Sequence, residues 1–390
     1  MAVRANKPAF NIREKLKELT HSIGLKGREL MRAATVQEAR DLVSAGRKNM
    51  VINGSMDVNQ RSVSGAIGNS ANNFIADRFM VRNNTTGSGV VAAQVNASAS
   101  SNAPGFRNWL QVDVNTSQAS LGGNDYVRIQ QYIEGNNCFM DWGLNGGNTD
   151  HVTISFWAKS YQTGTHCISL EDGDASPLHV KEYEIKQSGV WQKVTITFPP
   201  PDVGSFRTRN TEAGLRITWC LATGTTYQTT PNVWGTSYEM GTSNLNNFYS
   251  STDNYFYLTG VQLEVGKNAT DFEYRSYGEE LALCQRYYYS HALSGSRPIC
   301  TAAAYGTTRA FGVVSLPVTM RDNPSVVATS GPNNFRFFAN STNNAFSTLT
   351  LQETCPNAVT VETSNTLSVT SGHGGWLRTD QGTLAFNAEL

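Results

Sequence analysis

The residues of this chain that could do chemistry are aromatic rings and side-chain amides, which are concentrated between positions 222 and 255. An aromatic ring is a flat apolar surface on which the C–H face of a sugar can stack, and amides both donate and accept hydrogen bonds. These two kinds of side chain are suited to binding a neutral polar ligand. We therefore predict glycan contact through five residues of this segment: Tyr227, Trp234, Tyr238, Asn246 and Tyr249. The alternative is that the rings anchor a long loop to its sheet.

Three further tryptophans, Trp109, Trp157 and Trp191, fall on the opposite strand phase from the apolar residues of their own segments. A large ring on the solvent face exposes apolar surface unless something covers it. Sugars, a second subunit or a crossing loop of the same chain could each provide the cover. Interfaces are enriched in Trp and Tyr, so we predict a subunit interface at these three residues and leave the other two explanations open.

Catalytic and metal-binding motifs are missing from the sequence. There is no HExxH, no phosphate-binding Walker loop, no GxGxxG and no GxSxG. The six histidines are spread singly, and none of the six cysteines forms a CxxC pair. We therefore expect no catalytic residue, no metal, no cofactor and no enzyme activity.

One acidic stretch, SLEDGDAS, allows two interpretations. Glu171, Asp172 and Asp174 could be a pair of glycosidase carboxylates or ligands for calcium. Asp172 followed by Gly173 is also a common hairpin turn, and Asp and Gly favour such turns for local reasons. We favour the turn.

Charge is distributed unevenly along the chain, although the total is zero. Residues 1–49 contain eleven basic and five acidic side chains, so the rest of the chain has the matching acidic excess. Such an asymmetry is typical of a basic arm that docks on an acidic partner, and a solvated helix face is the alternative. Glutamates interrupt the basic run and no nucleic-acid motif is present, which favours an acidic protein over nucleic acid. The predicted attachment residues are Arg28, Arg32, Arg40, Arg47 and Lys48.

Two capping boxes predict short helices in this basic arm. Asn11 with Glu14, and Thr35 with Glu38, each have the spacing of a helix start, and Gly46 is placed to end the second helix. Helices this short are marginal alone. No apolar run approaches the length of a membrane span and no secretion signal opens the chain, so we expect neither membrane insertion nor export.

From Val51 onward the apolar residues alternate, which is the pattern of antiparallel strands with one buried face. The predicted fold is mainly β: a short helical head at 1–49, a jelly-roll β-sandwich at 50–275 and a smaller C-terminal β-sandwich at 280–390. A short helix or the start of another sheet is predicted over Glu279 to Tyr289. The alternation is clearest in NWLQVDV, YVRIQQYIE, VTISFWAKS, WQKVTITF, LRITWCLAT and GVQLEVG.

Three stretches together resemble tail-fibre and related appendage proteins of tailed bacteriophages, especially marine podovirus-like ones. They are GLKGRELMRAATVQEARDLVSAGRKNMVINGSMDVNQRS, YLTGVQLEVGKNATDFEYRSYGEELALCQRYY and LPVTMRDNPSV. In the first, Asn49, Asn53, Gly54, Gln60 and Arg61 match the motif that opens the middle domain, which in that family looks like a carbohydrate-binding jelly roll.

The resemblance implies a structural protein of the virion, made in the host cytoplasm and assembled as a homotrimer. It implies attachment to other virion proteins, of tail or capsid, through residues 1–49, and recognition of a host-surface glycan. Two alternatives stay open. One is a decoration, cement or adaptor protein that binds no receptor, and the other is a polysaccharide depolymerase.

Overall fold

The computed structural model describes residues 32, 48–98, 102–138, 142, 150–173, 176–204, 206, 210–364 and 367–390. The chain divides into two units between Lys48 and Asn49, and the architecture below is that of the second, Asn49–Leu390. The predicted helical head lies outside the described residues except for Arg32, which is helical and exposed, and Lys48. No helix in the described part is long and apolar enough to cross a membrane.

The first half of this unit is a β-sandwich of the jelly-roll type, as the alternation predicts. Every strand pair in its two sheets is antiparallel. The six-stranded sheet has the order β1 (Gly65–Ile67), β4 (Val90–Ala97), β5 (Asn108–Thr116), β13 (Tyr255–Val265), β7 (Val152–Ser160) and β10 (Gln192–Phe198). The seven-stranded sheet has the order β12 (Trp234–Gly235), β9 (Leu178–Ile185), β8 (Gly164–Asp172), β11 (Ala213–Thr223), β6 (Tyr126–Glu134), β3 (Phe79–Asn84) and β2 (Ala71–Ala76).

The core between these sheets is built from the apolar phase of each strand. Trp219, predicted to be internal, is fully buried and packs edge-on against Phe156 with ring centroids 5.7 Å apart. The ring of Phe79 from β3 also contacts Trp219, with centroids 6.2 Å apart. Burying a side chain of this size stabilises the fold by roughly 1.5–3 kcal/mol.

The segment before the first strand, residues 49–61, is folded into the body by its own polar side chains. The Asn49 amide donates to the carbonyl of Val261, and its oxygen accepts from the backbone of Val51 and Leu263. A Cβ on Gly54 would lie 2.1 Å from the Val261 oxygen, so only glycine fits there. Two of the matched residues of the opening motif, Asn49 and Gly54, thus hold the chain against β13.

The second half of the unit begins with helix α1 (Tyr277–Gln285), which Ser276 and Glu279 start with a capping box. A strand follows at once, so both alternatives predicted for this segment occur in succession. One sheet has the order β14 (Tyr288–Ala292), β23 (Leu384–Asn387) and β17 (Ser325–Ala328). The other has the order β19 (Thr342–Phe346), β18 (Phe335–Ala339), β22 (Gly374–Thr379), β15 (Pro298–Tyr305), β16 (Arg309–Ser315), β21 (Ala358–Thr363) and β20 (Leu349–Cys355).

The two sandwiches meet at a cluster of buried charges, which we call the junction. Glu389 near the C-terminus pairs with Arg61 and with Arg78, and the Arg78 guanidinium lies 3.6 Å from the ring centre of Tyr287. Arg286, just after α1, pairs with Glu134 of β6 at 2.6 Å. Because the Tyr287 hydroxyl also donates to Glu134, residues from both sandwiches and from the segment just after the helix share one network.

Candidate functional site

Tyr249 and Trp234, two of the five predicted glycan residues, belong to the core. Tyr249 is fully buried, and its hydroxyl donates to Asn83. Trp234 is 6% exposed because pairing of the two-residue β12 with β9 turns its ring inward, against His179 and Trp142 at 5.0 and 5.4 Å. Neither ring has a face for a ligand, so the prediction is wrong for both.

The other three predicted residues hold the loop to its sheet. Tyr227 packs edge-on against Tyr126 at 5.4 Å and against Tyr238 at 5.7 Å, and the Tyr238 hydroxyl accepts a hydrogen bond from Arg128. Asn246 donates to the carbonyl of Thr163 at 2.8 Å. All three are half-buried, and these contacts match the anchoring alternative rather than an open platform.

A different surface brings aromatic rings together: the outer side of the six-stranded sheet. Tyr257 of β13 lies directly opposite Gln111 of β5 and Lys159 of β7. Two residues before Tyr257 on β13, Tyr255 is paired with Asp113 of β5. Two residues after it, Thr259 is paired with Trp157 of β7. Because alternate residues of a strand share a face, these rows form one surface. We call it the aromatic face, and its rings are Trp109, Trp157, Tyr161, Trp191, Tyr255 and Tyr257.

Five of these rings form a continuous strip. Tyr255 and Tyr257 are stacked with centroids 4.6 Å apart, and Tyr257 is stacked on Trp109 at 6.0 Å. Trp191 lies 6.2 Å from both Tyr257 and Trp109, and Tyr161 lies 6.0 Å from Tyr255. Tyr161 is 47% exposed, while Tyr255, Tyr257 and Trp191 are half-buried.

The predicted subunit interface needs correction at Trp109. Its phase is as predicted, on the outer face, but only 3% of it is exposed because Tyr257 and Trp191 of the same chain cover it. Trp109 is therefore the floor of the strip. Trp157 and Trp191 are half-buried on the same face, and the interface prediction for them stays a prediction.

Tyr255 and Tyr257 were missed by the sequence analysis, which ran the preceding loop to position 255. The signal was present: in YFYL, Phe256 and Leu258 alternate with the two tyrosines, and both are fully buried. A period-two pattern with tyrosine on its outer phase would have placed a strand with an aromatic outer face here.

A chain of polar side chains borders the strip. The Asn96 amide donates to Gln111 at 3.1 Å, and the Gln111 amide donates to Asp113 at 2.6 Å. Burial raises the pKa of the Asp113 carboxyl and raises the pKa of Tyr257 to about 12, the latter helped by the nearby Asp113 charge. On the opposite side the Lys159 ammonium lies 5.6 Å from the Tyr257 ring centre. The face thus combines rings with donors and acceptors held in place by one another.

The acidic stretch is structural at Glu171. Its carboxylate is fully buried, pairs with Arg216 and accepts from Thr218 at 2.9 Å and Ser169 at 3.1 Å. β8 ends at Asp172 and its antiparallel partner β9 begins at Leu178, so the stretch connects a hairpin, as we favoured. Asp174 lies outside the described residues.

Of the predicted attachment residues, Arg28, Arg40 and Arg47 lie outside the described part of the chain. Lys48 is half-buried. Within the described residues, no group of three or more His, Cys, Asp or Glu is arranged to hold a metal ion.

No protein-family model matches this chain, and no curated protein matches it in sequence. It is similar to the solved structure of TmCBM61 in complex with β-1,4-galactotriose, at 14% identity over 56% of this chain and 99% of that one, with a TM-score of 0.27. The enzymatically active domain of bacteriophage CBA120 tailspike protein 4 matches at 12% identity over 56% of this chain and 21% of that one (TM-score 0.27).

A family 11 carbohydrate-binding module from Clostridium thermocellum, in complex with a β-1,3-1,4-mixed-linked tetrasaccharide, matches at 11% identity over 53% of this chain and 97% of that one (TM-score 0.26). At TM-scores this low, none of these matches indicates what this chain binds.

Proposed function

We propose that this protein binds glycans through the aromatic face. The observation that supports this is the strip of contacting rings on the outer side of the six-stranded sheet, bordered by Asn96, Gln111, Asp113 and Lys159. Tyr and Trp provide rigid contact area at low conformational cost, and a few fixed polar groups then set the orientation of the ligand.

We further propose that the protein binds its glycan without cleaving it. Glycoside hydrolysis ordinarily needs two carboxyl groups across the scissile bond. Asp113 is the one carboxylate in the three rows of the aromatic face, and Gln111 already donates to it. Glu171, the other candidate, is held in its buried pair with Arg216. Release of reducing sugar from any polysaccharide by the purified protein would contradict this.

The biological setting that we propose is a virion appendage. Its support is the resemblance of three stretches of the chain to phage tail-fibre proteins. In that setting residues 1–49 attach the protein to the particle, three copies assemble, and several weak glycan contacts add up to durable adsorption. Light scattering on the intact chain tests the trimer, and a stable monomer would contradict it.

The experiment that tests glycan binding compares three proteins on a glycan array and by titration calorimetry. Removing the Tyr257 ring should weaken binding about tenfold or more, since burying a ring of this size is worth roughly 1.5–3 kcal/mol. The matched control is Trp376→Ala, which removes a 43% exposed ring from the C-terminal sandwich. If the native protein binds no glycan, this result would favour the decoration or adaptor alternative. If Tyr257→Ala binds glycans as tightly as the native protein, the binding site lies outside the aromatic face.

A further inference from the structure

A second group of rings lies beside the aromatic face, beyond Trp157. The Tyr274 ring is stacked on Phe106 with centroids 5.9 Å apart and planes 27° apart, and Phe272 packs edge-on against both. The Tyr274 hydroxyl donates to the carbonyl of Gly105 at 3.0 Å, which fixes the ring. Phe106 is only 7% exposed, whereas Tyr274 is 64% exposed. The Tyr274 ring is thus fixed in position by its own chain but remains exposed to solvent.

An open cavity joins this ring to the aromatic face. It has a volume of about 360 Å³, and its lining includes Trp157 and Lys193 from the sheet and Phe106 and Tyr274 from the second group. Trp157 and Lys193 are directly paired residues of β7 and β10 and form the end of one row of the aromatic face. The cavity therefore adjoins that face at Trp157 and Lys193.

A second open cavity, of about 710 Å³, is lined by the same two rings. Phe106 and Tyr274 line both cavities, so the path extends past them. This second cavity adds the exposed Tyr277 and Arg107 and the side chain of Asn108. The second cavity thus adds a further ring and further hydrogen-bonding groups to the lining.

The backbone of β13 makes this continuity possible at Gly260. The register of β13 against β7 shifts between Thr259 and Gln262, and Gly260 has a φ of +62°. A Cβ there would lie 2.5 Å from the Phe106 ring and 3.0 Å from the Trp157 ring. A bulge with glycine at the left-handed position is a known way to bend a strand locally, and here it brings the two ring groups together.

We infer that the aromatic face and Tyr274 are two parts of one elongated binding surface, whose ligand is a glycan chain of several sugars rather than a single sugar. This rests on the proposed function. A short oligosaccharide can cover the strip around Tyr257 alone. A longer chain reaches Tyr274 as well, and that second contact is intramolecular, so it raises the affinity without a new binding event.

The experiment uses the full chain and oligosaccharides of defined length, from disaccharide to decasaccharide. They are prepared from galactan, xylan, mixed-linkage β-glucan and lipopolysaccharide O-chains, and binding is measured by titration calorimetry. We expect the affinity of the native protein to rise with length and then level off. Tyr274→Ala should weaken the longest oligosaccharides about tenfold and leave the shortest unchanged. Tyr257→Ala should weaken all lengths.

Two controls separate the role of the ring from effects on folding. Tyr305→Ala removes a 66% exposed tyrosine from the C-terminal sandwich and should change no affinity. Tyr274→Phe keeps the ring and loses the bond to Gly105, so it should bind long chains nearly as the native protein does. Affinity independent of length, or a Tyr274→Ala variant that behaves like Tyr305→Ala, overturns the inference while glycan binding stands. No binding of any fraction by native protein overturns both.

Discussion

Two buried histidines should make the jelly roll sensitive to acid. The His166 ring is stacked on Tyr183 at 5.7 Å, and the His179 ring lies edge-on to Trp234 and Phe198. Burial lowers the pKa of both to about 4. Both side chains are therefore neutral in the folded protein at pH values where the unfolded chain already binds protons.

The free energy of unfolding should consequently depend on pH between about 6.5 and 4. Above about pH 6.5 neither state is protonated at these residues and the stability is fully present. As the pH falls, the unfolded chain takes up protons first, so stability is lost until the folded pKa of about 4 is reached. The loss from His166 is roughly 3 kcal/mol.

Urea unfolding at a series of pH values measures this loss. His166→Phe should reduce the loss in this window by the roughly 3 kcal/mol that His166 contributes, since an uncharged ring replaces the titrating one while His179 still titrates. His373→Gln, on the C-terminal sandwich, serves as the control. A native profile that is flat from pH 7 to 4 would contradict the prediction.

For single residues, the sequence predicts the direction in which a side chain points better than it predicts whether the side chain is buried. The strand phase placed Trp219 inside and Trp109 outside, and both side chains point as predicted. It could not show that Trp109 is covered, because its cover comes from Tyr257 and Trp191 on other strands. Burial of an outward residue is a long-range property, and neighbours in sequence do not encode it.

At the scale of elements, the 49–61 segment depends on Asn53. Its φ is +61°, its amide donates to the carbonyls of Val58 and Asp77, and its oxygen accepts from the backbone of Val58. Asparagine tolerates this left-handed conformation better than most residues. The side chain thus closes a turn that the backbone alone would leave open.

Replacing Asn53 should therefore destabilise the protein through two separable effects. Asn53→Ala should lower the free energy of unfolding by about 3 kcal/mol, from lost buried hydrogen bonds and a strained φ. Asn53→Gly removes the same hydrogen bonds, but glycine adopts the positive φ without strain. Its loss of unfolding free energy should therefore be about 1 kcal/mol smaller than that of Asn53→Ala. Chemical denaturation measures both, and identical values would show that the backbone contributes nothing.

The strands themselves follow from alternation, but their pairing does not. Nothing local in the sequence indicates that β13 lies between β5 and β7, since these strands are far apart along the chain. The bulge at Gly260 was equally hidden, because a single glycine in a strand pattern is compatible with several local structures. The aromatic face exists only through that pairing, which is why the predicted site fell on the loop instead.

At the scale of the whole molecule, the junction should make the two sandwiches unfold together. Arg78 is 2% exposed, and its guanidinium is paired with Glu389. Removing one partner of a buried pair leaves the other charge uncompensated, which typically costs 3–5 kcal/mol. The same change also frees Arg61 from its contact with Glu389.

We expect calorimetry to show one unfolding transition for the native protein and two for Glu389→Ala, because the variant uncouples the halves. Glu353→Ala, an exposed position on β20, is the matched control and should leave the single transition in place. A single transition at an unchanged midpoint in Glu389→Ala would mean that the junction contributes little to cooperativity.

The attachment of Asn49 to β13 has a mechanical consequence. Tyr255 and Tyr257 lie on the strand whose Val261 and Leu263 hydrogen-bond to Asn49. A tensile force applied to a polymer bound at the aromatic face would reach residue 49 along β13, past the bulge at Gly260. The ladder bonds of β13 to β5 and β7 would be sheared together rather than unzipped one at a time. A load on the aromatic face would therefore be shared among the hydrogen bonds of two neighbouring strands.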